Sequence, residues 1–108
     1  SCIQLQEDWT FGIYDEHRNT SLSKFVGVKE MPKYGSYPPK CVQQFTFPKG
    51  TVLRIDRIFI RQNMAGFDSI TFSVIETSVT TKNKKPMKKA RFWAKLTDCN
   101  EIKFEFSV

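Results

Sequence analysis

The chemistry legible in this chain is that of fixed positive charge. Between Val79 and Lys95, in the run VTTKNKKPMKKARFWAK, stand Lys82, Lys84, Lys85, Lys88, Lys89, Arg91 and Lys95, with no acidic residue among them. The whole chain carries 17 − 11 = +6, so outside this run the cations and acids nearly cancel and the excess belongs to one segment. A local excess of that kind suits a surface that meets something anionic. Trp93 sits between Arg91 and Lys95. If Ala90, Phe92, Ala94 and Leu96 face a core, strand alternation sends Arg91, Trp93 and Lys95 to the opposite face. An indole held there in water stacks a nucleobase, an interaction of about 1–3 kcal/mol, while neighbouring cations hold phosphates. Lysine outnumbers arginine in the run, which points to phosphate attraction rather than base readout, because the forked contacts that read guanine belong to arginine. Two plainer readings compete: a lysine-rich hairpin tip that serves solubility and edge protection, and a Trp93 covered by the N-terminal segment. KNKKPMKKAR also matches the composition of a basic nuclear-import signal.

Other reactive residues form weaker constellations. Arg54, Arg57 and Arg61 with Asp56 read as ordinary cross-strand ion pairs, with Glu76 or Glu105 as partners, rather than an anion site. His17 is the only histidine, in the polar run DEHRN; Asp15, Glu16 and His17 are consecutive, so their side chains diverge and make no triad. No nucleophile elbow, glycine-rich phosphate loop or paired-carboxylate motif is present. A histidine-poor toxin-type ribonuclease would need Arg57 or Arg61 to converge with hydroxyls such as threonine, and is the one enzyme reading kept. Cys2, Cys41, Cys99 and His17 lack the two-to-four-residue spacing of a zinc site. The expectation is therefore no catalytic residue, no metal and no cofactor.

The 108 residues suffice for one domain, residues 1–108, and fifteen aromatics, ten of them Phe, supply a core. An odd, dispersed set of three cysteines suggests a reducing compartment: cytoplasmic, or nuclear in a eukaryotic host. No apolar run approaches the roughly 20 residues that span a bilayer. The opening SCIQLQEDW carries no secretion signal, and a first residue of Ser rather than Met fits a trimmed or processed start.

Period two dominates the chain. Ile70, Phe72 and Val74 alternate with Ser69, Thr71 and Ser73; Ala90–Thr97 and Glu101–Ser107 alternate in the same way, predicting three strands with one buried face each. Thr51–Arg61 is extended but slips phase: Leu53 and Ile55 share a face, whereas Ile58 and Ile60 fall on the other, so a bulge or bend is expected near Asp56–Arg57. Phe47–Gly50 is a turn, and Val42–Phe47 a short strand with Phe45 and Phe47 inward. Trp9, Phe11 and Ile13 alternate, Asp15–Ser23 reads as a polar loop, and Phe25–Val28 as a short apolar run. MPKYGSYPPK, residues 31–40, is a stiff linker whose Tyr34 and Tyr37 offer a contact surface. No helix longer than a turn or two is expected. Residues 3–5 and 42–47 read as edge strands open to pairing with another copy.

From Val42 onward the order of turn, bent strand, strand, basic loop, strand, tight turn at Thr97–Asn100 and final strand resembles the SH3-like small barrels, in which a brief helical turn precedes the last strand. That superfold implies Tudor-type, KOW-type or peptide-binding modules without assigning any residue a role; an OB-like barrel fits nearly as well. The expected architecture is all-β: a small SH3-like or OB-like barrel with an N-terminal strand extension. Its expected core is Trp9, Phe11, Ile13, Phe25, Val28, Phe45, Phe47, Leu53, Ile55, Ile58, Ile60, Ile70, Phe72, Val74, Phe92, Leu96, Ile102, Phe104 and Phe106. The leading functional reading is a non-enzymatic basic protein that contacts nucleic acid, or a nucleoprotein, nonspecifically through Lys82, Lys84, Lys85, Lys88, Lys89, Arg91, Trp93 and Lys95. The alternative is a protein-binding module or inhibitor, in the style of phage and mobile-element proteins, docking on an acidic partner.

Overall fold

The computed structural model describes residues 1–28, 38–61, 68–81 and 84–107. Its elements run β1 (Cys2–Leu5), β2 (Trp9–Tyr14), a 3₁₀ turn (His17–Asn19), α1 (Thr20–Val26), β3 (Cys41–Phe47), β4 (Val52–Phe59), β5 (Ser69–Glu76), β6 (Arg91–Lys95), α2 (Leu96–Cys99) and β7 (Phe104–Ser107). Strand predominates, as the alternating pattern predicts. Five strands form one antiparallel sheet in the order β6-β5-β4-β1-β7, and β2 pairs with β3 in a separate ribbon. The expected closed barrel is not formed. The N-terminal strands are not an extension either: β1 fills the gap between β4 and β7, so it lies inside the main sheet and not at an edge. Among the described residues, β3 pairs with β2 alone, so the edge expected at residues 42–47 is open.

The phase slip in β4 is a bulge where the spacing placed it. Ile55 pairs with Phe72 and Arg57 with Thr71, so Asp56 is the extra residue. Skipping it returns Ile58, which pairs with Ile70, to the face of Leu53 and Ile55. The polar run after Asp15 folds differently from the loop expected. Leu22, Phe25 and Val26 fall at helical spacing, and α1 buries Leu22 completely while Phe25 and Val26 pack on the core. Gly27 ends the helix in the left-handed region (φ 76°), its N–H bonding the Ser23 carbonyl. The expected tight turn at Thr97–Asn100 is the single helical turn α2 ahead of β7. Most of the 31–40 linker, Tyr34 and Tyr37 included, lies outside the described residues.

The ribbon lies over the inner face of the main sheet and the aromatics meet between them. Phe11 stacks on Trp9 (4.4 Å between centroids), on Phe92 (5.0 Å) and on Phe47 (5.8 Å), and Phe72 closes the group at 5.4 Å from Phe92. Each buried ring contributes about 1.5–3 kcal/mol of transfer free energy. Ile3, Leu5, Leu22, Met87 and Cys99, absent from the expected core, are buried in it. Four expected core residues are not: Ile58, Ile60, Phe104 and Phe106 stay exposed, Phe106 by 70%. Alternation gives Ile58, Phe104 and Phe106 the inner face, but the ribbon covers neither the β7 edge nor the far end of β4.

Candidate nucleic-acid interface

The basic run is a built hairpin between β5 and β6. Thr80 and Pro86 form an isolated antiparallel bridge. The Thr81 N–H donates to the Lys85 carbonyl (2.9 Å), the Lys84 N–H to the Thr81 carbonyl (2.9 Å), and the Lys85 N–H to Thr81 Oγ1 (3.2 Å). Met87, 1% exposed, drops from the middle of the lysines into the core and pins the loop. Sequence reasoning missed this anchor, although an apolar side chain among four cations was its visible sign. Beyond Met87 the pairing with β5 resumes, Lys89 N–H to the Val74 carbonyl (2.9 Å) and Val74 N–H to the Ala90 carbonyl (2.8 Å). Lys84 (φ 57°) and Lys89 (φ 66°) occupy the left-handed region, which costs a non-glycine residue about 1–2 kcal/mol.

With the loop pinned, Lys84, Lys85, Lys88, Lys89 and Arg91 all project into solvent. Lys82 lies outside the described residues. Lys95 is half-buried, its ammonium 5.6 Å from the centroid of the Tyr14 ring. At the foot of the hairpin a groove of about 550 Å³ is lined by Thr20, Ser21, Lys24, Phe25 and Thr81. Its three hydroxyls and one ammonium are groups that donate to phosphate oxygens.

Trp93 contradicts the expectation built on it. Alternation is obeyed: Trp93 pairs with Thr71 while Phe92 pairs with Phe72, so the indole does leave the inner face. It does not reach water, being 3% exposed. Tyr14 stacks on it at 5.4 Å and 19°. The indole Nε1 donates to Glu16 Oε2, and the backbone N–H of Trp93 donates to Asn19 Oδ1 at 2.8 Å. Asn19, fully buried, also donates through Nδ2 to the Tyr14 carbonyl at 3.0 Å. Arg18 lies 5.8 Å from the indole centroid and forms a charged hydrogen bond to Glu16 at 2.8 Å, and His17 Nδ1 lies 2.8 Å from Glu16 Oε1. The physical cause is the edge position of β6. Its outward N–H groups and large side chain are covered by the turn after β2, the plainer of the two readings of this residue. Base stacking on Trp93 is withdrawn.

Of the arginines of the bent strand, Arg54 joins an ion-pair network, with a partner other than those expected. Asp56, the bulged residue, accepts from Arg54 Nε (2.7 Å) and from the Ser73 hydroxyl, and lies 3.5 Å from Arg91 Nε. Glu76 and Glu105 do not serve as partners among the described residues. Partial burial pushes the Asp56 carboxyl up, but the hydrogen bonds from Ser73 and Arg54 and the charges of Arg54 and Arg91 outweigh it and hold the group below the usual aspartate range. Arginine, carboxylate and hydroxyl thus converge here, each satisfied by the others.

All three cysteines are free thiols. Burial, reinforced by the Asp98 charge, pushes Cys99 up to about 12, which makes it inert. Among the described residues no group of three metal-ligating side chains gathers, and no helix is long and apolar enough to cross a membrane. Comparison with protein-family models, curated proteins and solved structures finds no match.

Proposed function

We propose that this chain is a non-enzymatic binding module whose β5–β6 hairpin contacts the phosphate backbone of nucleic acid nonspecifically, by charge alone. The observation that carries the reading is the pinned hairpin: Lys84, Lys85, Lys88, Lys89 and Arg91 exposed on a loop held by Met87, with two lysines in left-handed backbone. A loop kept in costly geometry and studded with one sign of charge is better suited to a partner than to solubility alone. The groove beside it, with Lys24 and three hydroxyls, extends the same chemistry. Without an exposed ring the binding is weaker than first expected and indifferent to base identity.

The test is a fluorescence-anisotropy titration of a short duplex at several salt concentrations. Log affinity falls linearly with log salt, by about 0.9 for each phosphate neutralised. Lys85→Ala with Lys88→Ala, neither at a left-handed position, flattens that slope by about two units and leaves the thermal midpoint unchanged. Salt-insensitive binding, or a slope unmoved by the double substitution, rejects the hairpin as the contact. The protein-binding alternative draws on a different observation, the exposed Phe104 and Phe106 on β7. It gains if a pull-down retains its partners after the nucleic acid has been digested. The small-β-fold kinship suggested by the strand plan, SH3-like modules included, is compatible with either reading.

A further inference from the structure

β7 is the last strand of the main sheet, and among the described residues nothing pairs with its outer edge. Its polarity follows from the ladder. Lys103 accepts from the Gln6 N–H at 2.7 Å, so Lys103, Glu105 and Ser107 turn their backbone groups toward β1, while Phe104 and Phe106 turn theirs outward. The side chains are equally asymmetric. Phe106 stands opposite Ile3 and Phe104 opposite Leu5, which puts both rings on the core face, yet they are 70% and 44% exposed where Ile3 and Leu5 are 2% and 1%. The core face therefore continues past its cover onto an unpaired edge, the arrangement that invites another strand.

We infer that the occupant is β7 of a second copy of this chain, paired antiparallel about a two-fold axis through Phe104. Charge selects both the partner and the register. With the axis at Phe104, each Lys103 faces Glu105 of the other copy, twice over, and the rings of Phe104 meet across the axis. Moving the axis to Glu105 would set carboxylate against carboxylate, which is destabilising. The same register brings the outward backbone groups of each Phe104 opposite one another, so both edges are satisfied at once. Because the axis is perpendicular to the sheet, the two core faces stay on the same side and the exposed rings line one continuous strip. The interface is isologous and closes at two copies. It is independent of the hairpin, which leaves the sheet from the opposite half.

Sedimentation equilibrium of the full 108-residue chain across a range of concentrations tests this. The wild-type chain is expected to show a monomer–dimer equilibrium. Glu105→Lys and Lys103→Glu each weaken the dimer about tenfold, by turning two attractive pairs into two repulsive ones, and the double swap restores it. Lys103→Glu lowers the net charge from +6 to +4, which by itself favours association, so weakening by this variant isolates the pair. Both positions are exposed, and unchanged thermal melts confirm that the variants fold. A chain that stays monomeric at every concentration overturns the inference and leaves the edge to a different protein. A dimer indifferent to the single swaps, or not rescued by the double one, overturns it as well.

Discussion

Trp93 shows how far one residue's role depends on what lies above it. The ring is gripped on its face by Tyr14, at its nitrogen by Glu16 and at its backbone by Asn19, which makes it part of the frame. Trp93→Phe keeps the stacking surface and removes the donor to Glu16. A carboxylate that keeps Arg18 loses only one of its partners, so the expected cost is about 1–2 kcal/mol in a denaturant titration. Duplex affinity, measured well below the melting range, should not change. Equal stability with weaker binding would return the indole to the interface. Leu22 and Met87 make the same point from the other side: each looked like a minor residue in a polar stretch, and each is buried because the segment around it folds onto the core.

At the level of the element, the β4 bulge does two things. It restores the apolar phase of Leu53, Ile55 and Ile58, and it frees Asp56 to collect Arg54, Arg91 and Ser73 on the outer face. That network ties β4, β5 and β6 together at one level. The Asp56 carboxyl is held below the usual aspartate range in the folded chain. The stability it confers is therefore fully present above the unfolded value, near 3.9, and is lost as pH falls through the lower folded value. Asp56→Asn should lower the thermal midpoint at neutral pH, and the gap to the wild-type chain should close in strong acid. A gap that persists unchanged to pH 2 would mean that lost packing, and not the charge, accounts for the cost.

Across the whole molecule, stability depends on how the ribbon is held to the main sheet. Asp98, on α2, reaches β2 twice: its side chain accepts from the Gly12 N–H at 3.0 Å and its carbonyl from Trp9 Nε1 at 2.9 Å. At Gly12 an added Cβ would come within 2.9 Å of Cys41 Sγ on the neighbouring strand β3, so a side chain there would have to displace that thiol. Asp98→Ala leaves the Gly12 N–H without its acceptor and should cost about 1–3 kcal/mol, whereas Asp98→Asn, which still accepts, should cost clearly less. Chemical denaturation of the two variants checks this, and equal losses would assign the effect to α2 itself. Against these ties, the ribbon leaves Phe104 and Phe106 uncovered, the feature that opens the β7 edge to association.

Read alone, the sequence determined the strand class, the inward phase of the strands after β1, a bulge near Asp56–Arg57 and the concentration of charge in one hairpin. All of these are local: a period of two, a spacing of three and a run of lysines need no distant partner to have their effect. Only the tertiary structure decided that β1 enters the middle of the sheet, that the DEHRN run closes over Trp93, and that the core face of β7 is left bare. These outcomes depend on which surfaces meet. Alternation says which way a side chain points, whereas burial depends on what the rest of the chain brings to that side.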